Sequence, residues 1–248
     1  AIFTIIGGVV TAVGVLGFFL IKDPVLPKME EGYVRTVIHG FRPATIKANP
    51  ALYLSLIAFI LFNISIQIFM PYLILYYEVS LGMTDYVFVM APAIILASVA
   101  TALWGKVYDK RGFGFSVLWS LISLAAGYVL LYFFRQTALV FVGSLLMMCG
   151  YLCGMAVFGA RIRDLTPEGK AGRFQGVRIF SQVLIPGVVG PFIGKTVLAN
   201  AEMIVNNDGT KSFVPNKNIF LAALAVIAVL AVLLACVRKS GGKKENAQ

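Results

Sequence analysis

Four charged side chains, Lys106, Asp109, Lys110 and Arg111, crowd into the octapeptide GKVYDKRG at residues 105–112, between two strongly apolar runs. A carboxylate in such a knot is a candidate for a contact made in one conformation and released in another. Gly105 and Gly112 supply the backbone freedom of a tight reversal. Asp109 is placed to meet the positive N-terminal end of a helix starting on the same side. The run 177–197 starts there, with Arg178 in its first turn. The plainer alternative is that these charges are solvated and only fix topology. A second charged connector, RIRDLTPEGKAGRFQGVR (161–178), carries Arg163, Asp164, Arg173 and Arg178. Its Thr166-Pro167-Glu168 predicts a helix start: a capping hydroxyl, a first-turn proline and an acid near the positive dipole end.

Other chemistries find little support. The sole histidine, His39, sits in a hydrophilic stretch, and Cys149, Cys153 and Cys236 have no partner residues at metal-ligand spacing. No catalytic or metal-binding set is expected, and the chain reads as a non-enzyme. Neutral hydrogen-bonding groups remain. Asn63 and Gln67 are four apart in FNISIQIFMPYL, hence on one helical face. Their amides suit a polyhydroxylated solute, or equally a bond between helices. Pro71 follows and should loosen that helix. Ser144, Met148, Tyr151 and Met155 recur at helical spacing, as a stripe lining a substrate cavity or as a lipid-facing or packing stripe, and Gln182 is a further cavity candidate. Pro186, Gly187, Gly190 and Pro191 crowd one run and predict a bend or hinge, although prolines are tolerated in membrane helices without such a role.

The elements that must position these groups are membrane helices. The 248 residues are 59% hydrophobic and 13% charged, with a mean hydropathy of +0.88. Soluble domains are nearer half apolar and a quarter charged. Seven runs near the ~20 residues of a spanning helix cover 1–21, 51–76, 86–105, 114–134, 138–160, 177–197 and 218–237. Alternation at barrel length is absent, so the expected fold is all-α and polytopic. Seventeen of the 21 basic residues fall in alternate connectors, against Arg135, Lys195, Lys211 and Lys217 on the other side. By the positive-inside rule the heavy side is cytoplasmic, with the N-terminus outside and the C-terminus inside. The net charge of +10 thus becomes a topology signal, and no nucleic-acid partner is expected.

Gly105, Asp109, Lys110 and Gly112 fit G-x-x-x-D-[RK]-x-G, and Arg163, Asp164, Pro167, Glu168, Gly172, Arg173 and Gly176 fit R-D-x-x-P-E-x-x-x-G-R-x-x-G. Both patterns resemble cytoplasmic loop signatures of the major facilitator superfamily. That resemblance implies twelve helices in two six-helix halves, each a 3+3 inverted repeat. Residues 1–21 would then be helix six, 22–50 the central cytoplasmic linker, 51–237 the C-terminal transport half and 238–248 a basic cytoplasmic tail. The first five helices would be missing. It also implies a conformational latch built on Gly105, Asp109, Lys110, Gly112, Arg163, Asp164, Arg173 and Arg178. The expected function is secondary active transport of a small solute by alternating access, in a bacterial inner or plasma membrane. No cofactor is expected. No ionisable residue lies in mid-span, which assigns any coupling ion, proton or sodium, mainly to the missing half. FNISIQIFMPYLILYY is similar to the glycoside–cation symporter branch, the melibiose-carrier-like proteins, implying a sugar or glycoside. A drug or metabolite exporter of the same superfamily is the alternative, and a non-transport seven-span protein a more distant one.

Overall fold

The computed structural model describes residues 2–20, 39–205, 209 and 211–245. Most of the expected linker (22–38), the end of the tail (246–248) and the side chains of 238–245 lie outside the described residues. The chain divides at Thr36 and Val37 into two units. The first contains α1, Ile2–Leu20, a helix with no charged residue and with Thr4 and Thr11 as its only polar side chains.

The second unit contains α2 (Pro43–Ala48), α3 (Pro50–Ser80), α4 (Val87–Phe133), α5 (Thr137–Leu165) and α6 (Ala171–Val197). A small antiparallel hairpin, β1 (Met203–Val205) with β2 (Lys211–Phe213), precedes α7 (Asn218–Glu245). The all-α polytopic expectation therefore holds. The hairpin occupies a stretch read from sequence as a connector, although its Asn207-Asp208-Gly209 is a hairpin signal.

Helix α4 has 47 residues, about 70 Å if straight and more than twice a hydrocarbon core of roughly 30 Å. It is not straight. Gly112 has φ 73° and ψ −179°, a conformation in which a Cβ would be strained. Beyond it the chain returns. Trp104 Nε1 donates to the Ser116 carbonyl at 3.4 Å, whereas twelve residues along a straight helix are about 18 Å apart. The two limbs, 87–111 (α4a) and 113–133 (α4b), also meet α5 in opposite senses. Thr101 touches Cys153 and Tyr108 bonds Asp164, so α4a runs parallel to α5. Phe113 packs on Phe158, and Gly150 and Gly143 lie against Leu124 and Leu131, so α4b runs antiparallel. Two expected spans thus form one hairpin, turning at the glycine the sequence marked. The break has a local consequence. Ser120 bonds back to Ser116 O at 2.9 Å, but Ser116 would need the carbonyl of Gly112, which has left the helix. Its buried hydroxyl has no partner among the described residues.

Two other helices are irregular where prolines fall. α3 passes through a 3₁₀ turn at Met70–Tyr72, containing Pro71, and ends as a π-helix at Tyr76–Ser80. α6 opens as α-helix (Ala171–Ile179), widens to a π segment at Phe180–Leu184 and resumes at Ile185–Val197. Pro186 has no N–H to give to the turn before it, and π-bulges absorb such losses. The predicted helix start at Thr166-Pro167-Glu168 is corrected. Thr166 ends α5 instead, its hydroxyl donating to the Ile162 carbonyl at 2.6 Å, one of the last-turn acceptors a helix leaves open. A turn through Gly169 (φ 71°) follows, and α6 begins only at Ala171.

Helix α3 is the hub. Phe59 stacks on Phe158 of α5 at 5.4 Å between centroids, and Phe62 meets the same ring at a tilt at 5.3 Å. Phe69 meets Tyr128 of α4b and Phe220 of α7 at 5.3 and 5.8 Å. Ser65 and Tyr128, both essentially inaccessible to solvent, share a hydrogen bond at 2.9 Å. Small residues bring the rods together: a Cβ at Gly127 or Gly150 would run into the backbone of Met147 or Leu124, and one at Gly154 into the Phe62 ring. Such glycine contacts are the usual means of close approach in lipid, where helices gain nothing by burying apolar surface from each other. The outer faces stay apolar; Phe88 and Ile95 of α4a are 79% and 63% exposed. In a bilayer that surface is solvated by acyl chains.

Candidate functional site

Phe59, Asn63 and Gln67 form one i, i+4, i+8 stripe on α3, running from the α5 contact at Phe59 to an α6 contact at Gln67. A Cβ at Gly190 of α6 would strike the backbone and Cβ of Gln67, so the two rods touch there without a spacer. Asn63 is buried and donates one amide N–H to the Phe59 carbonyl at 2.9 Å. A second N–H and an acceptor oxygen remain available to a further partner. Gln67 is half-buried and makes no side-chain hydrogen bond among the described residues. α3 and α6 run parallel, as Gly190 with Gln67 and Gly194 with Ile68 and Tyr72 show. One turn back from that contact, Asn63 is level with Pro186, and Gln182 lies a further turn along. Gln182 is half-buried in the π segment.

The other candidates are placed differently. Ser144 is buried and closed: its hydroxyl donates to the Val140 carbonyl at 2.6 Å, so the Tyr77 hydroxyl donates to it. Tyr151 is half-buried, one turn from Gly154 and near the level of Gln67. Of the predicted bend, Pro186 is buried beside the π segment, Gly187 faces open space, Gly190 is a packing contact and Pro191 sits inside the resumed helix. Sequence reading had no access to the Ser65–Tyr128 pair, because residues 63 positions apart leave no local signal.

The charged turns gather at one end. Tyr108, at the tip of the α4 hairpin, donates its hydroxyl to Asp164 Oδ2 of α5 at 2.7 Å. Arg163 approaches Oδ1 of the same carboxylate at 3.4 Å. Burial first, then the hydrogen bond to Asp164 and its negative charge, push the Tyr108 phenol up to about 12. The two signature loops are therefore joined, but through Tyr108 rather than through Asp109. Gly105, Asp109 and Lys110 are exposed, and Asp109 has no ion pair among the described residues. Tyr108 turned inward leaves the next residue turned outward, since helical neighbours are about 100° apart. Arg111 covers the Phe115 ring at 5.2 Å. Arg178 is half-buried beside Gly159 of α5, and Arg173 is half-buried with its carbonyl against Gly40. The segment before α2 docks here too: the Tyr53 hydroxyl donates to the Gly40 carbonyl, and Phe41 meets Phe180 edge-on at 5.1 Å.

Comparison with known proteins agrees in one respect. The family model of the Major Facilitator Superfamily matches residues 1–191 of the 248. No curated protein and no solved structure matches the chain.

Proposed function

The chain belongs to the major facilitator superfamily of transporters, and from that premise we propose that residues 51–237 form one six-helix lobe of an alternating-access carrier for a small, uncharged, polar solute. The observation that carries this reading is the amide pair Asn63 and Gln67, on one stripe of α3 that meets α6 at Gln67, in a bundle with no Lys, Arg, Asp, Glu or His in mid-span. Neutral amides offer both donors and acceptors, the complement of a polyol surface. A fixed charge would instead select ions. A sugar or glycoside is the solute class this favours. Symport with a proton or sodium, bound mainly by groups outside this lobe, is the matching energy source. The exporter alternative would show an apolar, aromatic contact set instead.

The irregular helices suit the motion required. α3 and α6 touch at Gly190 and Gly194, and each carries a proline-linked π segment. Such segments lack a regular hydrogen-bond ladder to be broken when the rods shift, which favours the Pro186–Pro191 stretch as the place where α6 bends. The basic end faces the cytoplasm in this reading, with Asp109 presented outward to a partner beyond the lobe.

The test is solute uptake by the full-length carrier in proteoliposomes. Asn63→Ala and Gln67→Ala should each raise KM by roughly 3–10-fold, the loss of one net hydrogen bond of about 0.5–1.5 kcal/mol. Unchanged transport of every sugar tried in both variants would remove the amide stripe from the site.

A further inference from the structure

A groove of 910 Å³ opens on the second unit between the first two turns of α3, the Phe113–Ala125 stretch of α4b and the Leu224–Val237 stretch of α7. Its walls are aliphatic: Leu54, Val117, Leu121, Ile227 and Ala231 are representative. Leu118 and Ile122 on its rim are 49% and 46% exposed. One charged side chain enters it, Arg161 from α5, at the basic end. The guanidinium lies over the Phe113 ring, 5.3 Å from its centroid. Its Nε is buried and has no hydrogen-bond partner, and no carboxylate pairs with it among the described residues.

A buried N–H without a partner is costly, and an unpaired guanidinium at an apolar wall more so. The deficit is specific in shape. A planar fork of donors matches phosphate, while the remainder of the groove is apolar apart from Ser55, whose hydroxyl already donates to the Ala51 carbonyl. Its length fits as well. From Phe113 to Ala125 is about 18 Å along α4b, close to half of a ~30 Å hydrocarbon core. The charged end therefore lies at the headgroup level of one leaflet and the apolar end near the midplane.

We infer that this groove is a binding site for an anionic phospholipid of the leaflet at the basic end, with its phosphate on Arg161 and an acyl chain between α4b and α7. The site is distinct from the Asn63–Gln67 stripe, and the inference does not depend on which solute is carried. Charge selects the lipid class: a zwitterionic lipid brings its own cation next to Arg161, whereas an anionic one does not.

The test is native mass spectrometry of the full chain, purified and exchanged into detergent with equal phosphatidylglycerol and phosphatidylcholine. Wild type should retain phosphatidylglycerol about 10-fold over phosphatidylcholine. Arg161→Gln should reduce that preference to about 2-fold or less, and Arg161→Lys should fall between. Ala228→Leu with Ala231→Leu narrows the groove while leaving every charge in place, and should lower retention of both lipids at least 5-fold. That pair keeps the test decisive should Arg161→Gln fail to fold. Equal retention of the two lipids by wild type would overturn the inference. So would a preference that survives Arg161→Gln, or a dimer that dissociates when Ala228 and Ala231 are enlarged, since a second copy would then be the occupant.

Discussion

The Tyr108–Asp164 bridge yields the sharpest prediction, because it joins the α4 hairpin turn to the end of α5 through one atom pair. Tyr108→Phe removes the hydroxyl and almost nothing else. A neutral donor to a charged acceptor contributes about 1.5–3 kcal/mol when shielded from water. Asp164 is 43% exposed and Tyr108 only partly covered, so water competes and a value near 1 kcal/mol is expected. A double-mutant cycle with Asp164→Asn isolates the pair from the packing of the ring. The predicted coupling of about 1 kcal/mol is roughly 5-fold in an equilibrium constant, read from detergent or urea unfolding of the purified chain. The pH dependence has a fixed sign. A phenol whose folded-state pKa is raised contributes stability fully below the unfolded value near 10, and loses it as pH rises through about 12. The difference absorbance at 295 nm between wild type and Tyr108→Phe should therefore show a tyrosine titrating near 12, and Asp164→Asn should move it downward. Coupling indistinguishable from zero, together with a Tyr108 titration near 10, would refute the bridge.

Three further outcomes follow from the same geometry. Tyr128→Phe should destabilise by about 1–3 kcal/mol because it leaves the buried Ser65 hydroxyl unpartnered, while adding Ser65→Ala should recover most of the loss; thermal unfolding in detergent measures both. Gly150→Leu should cost at least 1–3 kcal/mol by overpacking against the Leu124 backbone, seen as lower yield of folded monomer, whereas Gly187→Ala, which faces open space, should be well tolerated. Asp109→Asn should slow solute flux several-fold without changing the melting temperature, because Asp109 has no ion-pair partner to lose among the described residues.

Much of the architecture was legible because lipid imposes a simple rule. Each apolar run became a helix, and the glycine ending GKVYDKRG became the point where α4 turns back. Pro71 and Pro186 marked two of the places where helical hydrogen-bonding is irregular, since a missing N–H is written directly in the sequence, although Pro92 and Pro191 lie inside helices that continue through them. Local chemistry misled at Thr166, where the same hydroxyl that caps a helix start satisfied the end of the previous one. Pairings between helices were not legible. Tyr108 with Asp164, Tyr77 with Ser144 and Arg161 with the Phe113 ring depend on how rods are rotated, which a periodicity does not fix when every face is apolar. Ser144 illustrates the consequence: polar in an apolar run, it looked available, and Tyr77 occupies it.

The most direct test of the whole account is sidedness. Single cysteines at Lys110, Glu168 and Asn200, in the protein with Cys149, Cys153 and Cys236 replaced by alanine, should be labelled with a membrane-impermeant maleimide in oriented vesicles. Positions 110 and 168 should react from one side and position 200 from the other. Labelling of 110 and 168 from opposite sides would contradict it.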